Sequence, residues 1–189
     1  MKKIATHDSA TGEKPKNFLS FIFTPFAKTQ SKTIKEQYEH GCRMFDIRVK
    51  YVNNEWYCAH GLWYSKRTAL DILEEINNFE EICYVTITYE GNKNNIFVYT
   101  EFIKYIEKHF KHFVLGGVAI KYGEQANLFK VVYDYIQPYP NNWPPSKQGF
   151  KALDGKTWHI LIPIPYLWKK IYYNKPQFEE NVFTYVDFL

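Results

Sequence analysis

Between Cys42 and Tyr51 the sequence alternates with a period of two, and both of its faces are informative. Phe45, Ile47 and Val49 fall on one side, while Met44, Asp46 and Arg48 fall on the other. Such a segment is a strand with one face packed against an apolar layer and the other carrying an acid and an arginine. From Lys66 to Phe79, Ala69, Ile72, Leu73 and Ile76 recur at i, i+3, i+4 and i+7, the stripe of an amphipathic helix. Ile82 to Glu90 is β-branched and aligns Thr86, Thr88 and Glu90 on one face, as a strand would. Strand, helix, strand in this order is the crossover unit of a parallel sheet.

The same alternation extends over the first two-thirds of the chain. Lys3 to Ser9 is a short strand running into a turn, and Lys32 to His40 reads as a helix stopped by Gly41. Trp56 to His60 reads as a strand after the Asn53-Asn54 turn, making a hairpin or an irregular extension, and Tyr99 to Phe110 as a further helix. Past residue 113 helices are hard to find. Val114 to Tyr122, Leu128 to Ile136, Trp158 to Ile164 and Val182 to Phe188 read as strands separated by proline-rich loops. Seven or eight strands with few late helices predict an α/β fold, a small or distorted (β/α) barrel that buries its edges by closure.

A chain of 189 residues is expected to form a single domain over residues 1–189. Its 15 Phe, 16 Tyr and 5 Trp exclude a disordered chain. The most apolar run, His159 to Trp168, falls well short of the ~20 residues a membrane-spanning helix needs. No signal peptide is visible at Met1-Lys2-Lys3, and the compartment stays open. The net charge of +4 is spread among 20 acids without a basic run, so no nucleic-acid partner is expected. Cys42, Cys58 and Cys83 lack metal or disulfide spacing and are expected to be buried free thiols.

Three short pieces carry the chemistry: Ala5-Thr6-His7-Asp8-Ser9, Met44-Phe45-Asp46-Ile47-Arg48-Val49 and Ala59-His60-Gly61. If they end parallel staves, they meet at the C-terminal rim, where barrel enzymes hold their active sites. Two histidines exchange protons near neutral pH, and an arginine grips a phosphate through paired hydrogen bonds. Metal-free cleavage of a phosphodiester by an internal hydroxyl requires that set. Asp46, on the face of Arg48, reads as its ion-pair partner.

Taken in order, Thr6-His7-Asp8-Ser9, Gln37-x-x-x-Gly41-x-Arg43-x-Phe45-Asp46-Ile47-Arg48 and His60-Gly61 resemble the X domain of phosphatidylinositol-specific phospholipases C, in its bacterial, metal-independent form. The resemblance covers about residues 4 to 90, with a short later match at Asn181-Val182-x-x-x-Val186-Asp187-Phe188. It implies a distorted TIM barrel, no cofactor and no metal, and cleavage of phosphatidylinositol to a cyclic inositol phosphate and diacylglycerol. By position, His7 would be the general base, Arg48 the phosphate ligand and His60 the general acid acting with Asp8. Asp187 would fix the tautomer of His7.

Glu90 stands where the bacterial enzymes carry a lysine and is a candidate substrate contact, and Lys121, Asp134 and Tyr135 are candidate head-group contacts. Trp63 follows His60-Gly61 and is expected at the pocket mouth as a further substrate contact. The implied partners are a phosphoinositide or related phospholipid and, transiently, a membrane surface; a monomer is expected. Trp143, Trp168, Lys169, Lys170, Tyr172 and Tyr173 fit either that surface or barrel core with solvated lysines, the second being favoured.

Two alternatives follow. The shortened second half fits a degenerate barrel that binds a phosphorylated ligand or lipid without cleaving it. Metal-dependent glycerophosphodiesterases and phospholipases D rank last, because they carry Glu-x-Asp where this chain has Asp46-Ile47-Arg48.

Overall fold

The computed structural model describes residues 2–91, 96–116, 119–120, 140–149 and 176–189. Two of the expected strands, Leu128 to Ile136 and Trp158 to Ile164, lie outside them. So do Lys121, Asp134, Tyr135, Trp168, Lys169, Lys170, Tyr172 and Tyr173.

Among the described residues the frame is a sheet of nine strands: β1 (Lys3–Thr6), β2 (Cys42–Val52), β3 (Glu55–His60), β4 (Trp63–Thr68), β5 (Cys83–Tyr89), β6 (Phe113–Leu115), β7 (Ala119–Ile120), β8 (Ser146–Gln148) and β9 (Phe183–Val186). Its helices are α1 (Phe18–Ala27), α2 (Ile34–Glu39), α3 (Ala69–Asn77) and α4 (Ile96–His109). Among the described residues no helix follows α4. The pairs β1–β2, β2–β5, β5–β6 and β5–β7 are all parallel. The last strand, β9, lies parallel to the first and to β8. This is an α/β fold in cyclic order, the order of a (β/α) barrel rather than of a sheet that winds outward from its first strand.

Local chemistry explains the elements. Gly41 takes φ +90°, which only glycine adopts without strain, and turns the end of α2 directly into β2. Thr33 and Glu36 form a capping box at α2, as Thr68 and Asp71 do at α3. The apolar stripe of α3 is buried completely at Ala69, Ile72, Leu73 and Ile76. Each of the three larger side chains stabilises the fold by roughly 1.5–3 kcal/mol. They pack with Phe45, Ile47, Val49, Val85 and Ile87, the outward series of β2 and β5.

The opposite series of each strand begins in a second apolar cluster of Ala5, Met44 and Phe183, against which Tyr84, Trp143 and Tyr185 pack. Trp143 meets Tyr84 edge to face at 5.4 Å, in keeping with the core reading of that residue. Continued by twos toward the strand ends, these series lead to His7, to Asp46 and Arg48, to Glu90 and to Asp187.

Two elements differ from expectation. The helix expected from Lys66 begins only at Ala69, because Trp63–Thr68 pairs with β3 as a strand. α1 was not anticipated: its ten residues, FLSFIFTPFA, contain no charge and no polar face, so they lack the amphipathic signal. The hairpin expected at Asn53-Asn54 is present: β3 runs antiparallel to β2, so His60 does not end a parallel stave.

Candidate active site

β2 places the site through its two edges. Met44 pairs with both Ala5 and Tyr84, and Val49 with both Cys58 and Tyr89. β1 and β3 therefore share one edge of β2, with β5 on the other. β1 stops opposite Phe45, whereas β3 comes back along the same edge from the far end, with Cys58 opposite Val49. The end of β3 thus points at the end of β1, and His60 reaches the His7-Asp8 turn although its strand runs backwards.

Asp8 adopts a left-handed backbone, φ 44° and ψ 50°, a strain of about 1 kcal/mol that its surroundings must hold. Its N–H donates to Asp46 Oδ2 at 3.2 Å, and its carbonyl accepts from Thr11 Oγ1 at 2.8 Å. Thr86 Oγ1 donates to Asp46 Oδ1 at 3.2 Å. Asp46 also lies 3.5 Å from Arg48 Nε, so it supports the Asp8 turn as well as pairing with the arginine.

The central group is Arg48. Its Nε faces the Asp8 carboxylate, Nη1 donates to Glu90 Oε1 at 3.0 Å, and Nη2 donates to His7 Nε2 at 2.7 Å. Nη1 and Nη2 each carry a second N–H, and paired guanidinium N–H groups are the donors that fit a phosphate.

Each imidazole is oriented through its Nδ1. His7 Nδ1 lies 3.0 Å from Asp187 Oδ1 and must carry the proton there. Its Nε2 accepts from Arg48 and must therefore be bare, so two neighbours impose the same tautomer. His60 Nδ1 faces the Ala27 carbonyl at 2.9 Å and Asp8 Oδ2 at 3.2 Å, two acceptors that hold a proton on that nitrogen. A proton on Nδ1 leaves Nε2 as the basic nitrogen of the neutral ring. His7 and His60 are partly exposed, with side-chain exposures of 26% and 22%.

Of the residues expected in the site, His7, Asp8, Arg48, His60, Asp187 and Glu90 stand together. Glu90 is 5% exposed, with Oε2 accepting the Gly61 N–H at 2.9 Å. Trp63 does not sit at a mouth: it is 1% exposed, turned into the protein by its pairing with His60, and the open position in that turn is Leu62, at 50%.

Two residues that the sequence did not single out hold the first strand to the last. Thr29 Oγ1 and Gln30 Nε2 both donate to the His7 carbonyl at 3.0 Å. Gln30 Nε2 also reaches the Val186 carbonyl at 2.8 Å, and the Phe188 N–H donates to the Thr29 carbonyl at 2.7 Å. This clasp fixes Asp187 against His7. A buried glutamine in a loop leaves no periodic trace, so no pattern could have found it.

One side of the site is apolar. The carbonyl that receives His60 belongs to Ala27, the last residue of α1, and Ser20 Oγ accepts from the Tyr64 N–H at 3.2 Å, docking α1 on β4. Outward, α1 exposes Phe18, Leu19, Phe21, Ile22 and Phe26, an uncharged apolar surface.

A cation would find possible ligand atoms in His7, Asp8 and Asp46, which lie within 4.8 Å of one another. Arg48 contacts all three, so a metal ion there would have to displace the guanidinium. The cysteines take no part: all are free and buried, and burial pushes the thiols of Cys42 and Cys83 up to about 11 and about 12.

No model of a known protein family matches the chain, and no curated protein does. Among solved structures, a Staphylococcus aureus phosphatidylinositol-specific phospholipase C, studied for its membrane binding, is 22% identical over 56% of this chain and 37% of its own, with TM-score 0.45. The phosphatidylinositol-specific phospholipase C of Listeria monocytogenes is 25% identical over 58% of this chain and 40% of its own, with TM-score 0.43. Each match thus takes in well under half of the enzyme's length.

Proposed function

We propose that the chain is a metal-independent phosphodiesterase that cleaves phosphatidylinositol-type lipids by intramolecular attack. The observation that carries this reading is the gathering of His7, Arg48 and His60 about the Asp8 carboxylate, with Asp187 behind His7. As the phosphate binds, Arg48 Nη2 leaves His7 Nε2 and, with Nη1, turns its N–H groups to the phosphoryl oxygens, where negative charge grows. The lone pair freed on His7 Nε2 takes the proton of the inositol hydroxyl beside the phosphate as that oxygen attacks phosphorus. The bond from phosphorus to the glyceride oxygen breaks, and that oxygen takes the proton from His60 Nε2. The products are a cyclic inositol phosphate and diacylglycerol. Asp187 and Asp8 stabilise the two imidazolium states between which the site alternates.

The substrate is held in a membrane, and α1 supplies a means of reaching it. Its exposed Phe18, Leu19, Phe21, Ile22 and Phe26 bury into the lipid interface beside the site, with Lys14, Lys16 and Lys28 flanking the helix in sequence. Replacing Phe18 and Phe21 by serine should weaken vesicle binding at least tenfold and leave turnover of a soluble short-chain substrate within twofold of wild type.

The decisive assay incubates the protein with phosphatidylinositol vesicles in excess EDTA and measures released diacylglycerol. Release supports the reading. Vesicle binding without release would favour the degenerate lipid-binding barrel, and neither binding nor release would overturn both.

A further inference from the structure

The Glu90 carboxylate follows β5 directly, and its own N–H donates to the Val49 carbonyl at 2.9 Å, so the residue is anchored to β2 at its root. Its two oxygens serve two different elements. Oε1 accepts from Arg48 Nη1 at 3.0 Å, and Oε2 accepts from the Gly61 N–H at 2.9 Å. Gly61 occupies the first position of the two-residue turn between β3 and β4, at φ +62°, immediately after His60. A single buried carboxylate therefore ties the phosphate fork on β2 to the turn that carries the second histidine.

We propose that Glu90 is a positioning residue rather than a substrate ligand: it sets the rotation of the Arg48 fork and the reach of His60 together. Three features carry this. The carboxylate is 5% exposed, so little of it is left to meet a head group. Both oxygens have protein partners at hydrogen-bond distance. Its negative charge lies against the guanidinium that binds phosphate, so it opposes anion binding while it orients the binder. Removing that charge should then improve the grip on an anion and spoil its placement at the same time. Loss of a substrate contact would do the opposite, weakening binding while sparing the chemistry.

The inference rests on the phosphodiesterase reading, and its test separates the two. Glu90→Gln keeps the shape but has one oxygen where two acceptors are needed; Glu90→Asp keeps the charge but is too short to reach both partners. With soluble phosphatidylinositol, both variants should lose about 10- to 100-fold in kcat, the cost of misplaced groups. KM should stay within about threefold. Inorganic phosphate, used as a competitor, should inhibit Glu90→Gln more strongly than wild type and Glu90→Asp about equally. A raised KM with kcat intact would return Glu90 to the role of substrate ligand and overturn the proposal.

A second readout does not depend on turnover. The Gly61 amide proton should exchange slowly and resonate downfield in wild type, and both signs should be lost in Glu90→Asp and Glu90→Gln. If wild type is inactive but the amide responds, the reading of function fails and the bridge stands. An amide that ignores both substitutions overturns the bridge whatever the activity.

Discussion

Asp187→Asn isolates what a negative charge behind His7 contributes, because the structure predicts that little else will change. The asparagine carbonyl can replace Oδ1 as acceptor for Nδ1–H. Arg48 Nη2, 2.7 Å from Nε2, still requires a bare nitrogen there, so the tautomer should survive. What disappears is the attraction between the carboxylate and the imidazolium that the proposed reaction forms when His7 takes the substrate proton. At 3.0 Å and an effective dielectric constant of 20, that attraction is about 5 kcal/mol. The side chains are 26% and 16% exposed, and solvent screening reduces it to about 2–3 kcal/mol. On the transition state this corresponds to roughly 30- to 150-fold in kcat. Asp187→Ala also loses the hydrogen bond that aims the ring, about 1 kcal/mol more, or a further fivefold or so. The order should be wild type, then Asp187→Asn, then Asp187→Ala, measured as kcat on a soluble short-chain phosphatidylinositol. Nitrogen NMR of the imidazole should find Nε2 bare in both wild type and the asparagine variant. An Asp187→Asn enzyme within threefold of wild type would refute the electrostatic role, and a flipped tautomer would refute the claim that Arg48 enforces it.

The remaining predictions concern the frame. Leu73 is fully buried beneath the sheet, so Leu73→Ala should cost about 2–5 kcal/mol in urea unfolding, and a loss below 1 kcal/mol would contradict the packing described. Burial raises the Glu13 carboxyl above its ordinary range, against the Ile34 N–H bond and the nearby Arg67. The folded state then binds more protons than the unfolded one between the ordinary pKa and the raised one, and stability falls as pH rises through that window. Glu13→Gln should flatten that slope, and an unchanged slope would assign it to another group. The three buried cysteines should resist a thiol reagent at pH 8 in the native protein and react fully in denaturant; fast reaction before unfolding would contradict their burial.

How far the sequence discloses all this depends on whether a residue's role is periodic. Met44, Asp46 and Arg48 are legible because a strand must alternate, and Ile72, Leu73 and Ile76 because a helix must repeat. Those patterns give the parallel sheet and the face from which Arg48 projects. The backward course of β3 is legible only in the Asn53-Asn54 turn, which signals a hairpin; the pairing of Val49 with Cys58 then shows how His60 arrives. α1 escaped because an evenly apolar helix has no face, and its exposure beside the site is a property of the surface it meets rather than of burial. Thr29, Gln30 and the left-handed Asp8 escaped for another reason. They act through backbone hydrogen bonds, which any polar side chain at the right place can make. Trp63 was misplaced because a large aromatic beside a histidine suits a pocket mouth and a core equally well, and strand pairing turned it inward.

The account stands on two histidines sharing one phosphodiester, and phosphorus NMR of the reaction tests this most directly. With phosphatidylinositol in EDTA, wild type should produce the cyclic inositol phosphate signal, while His7→Ala and His60→Ala should each slow its appearance by about 10²- to 10⁴-fold. Cyclic phosphate formed at the wild-type rate by either variant would contradict the account.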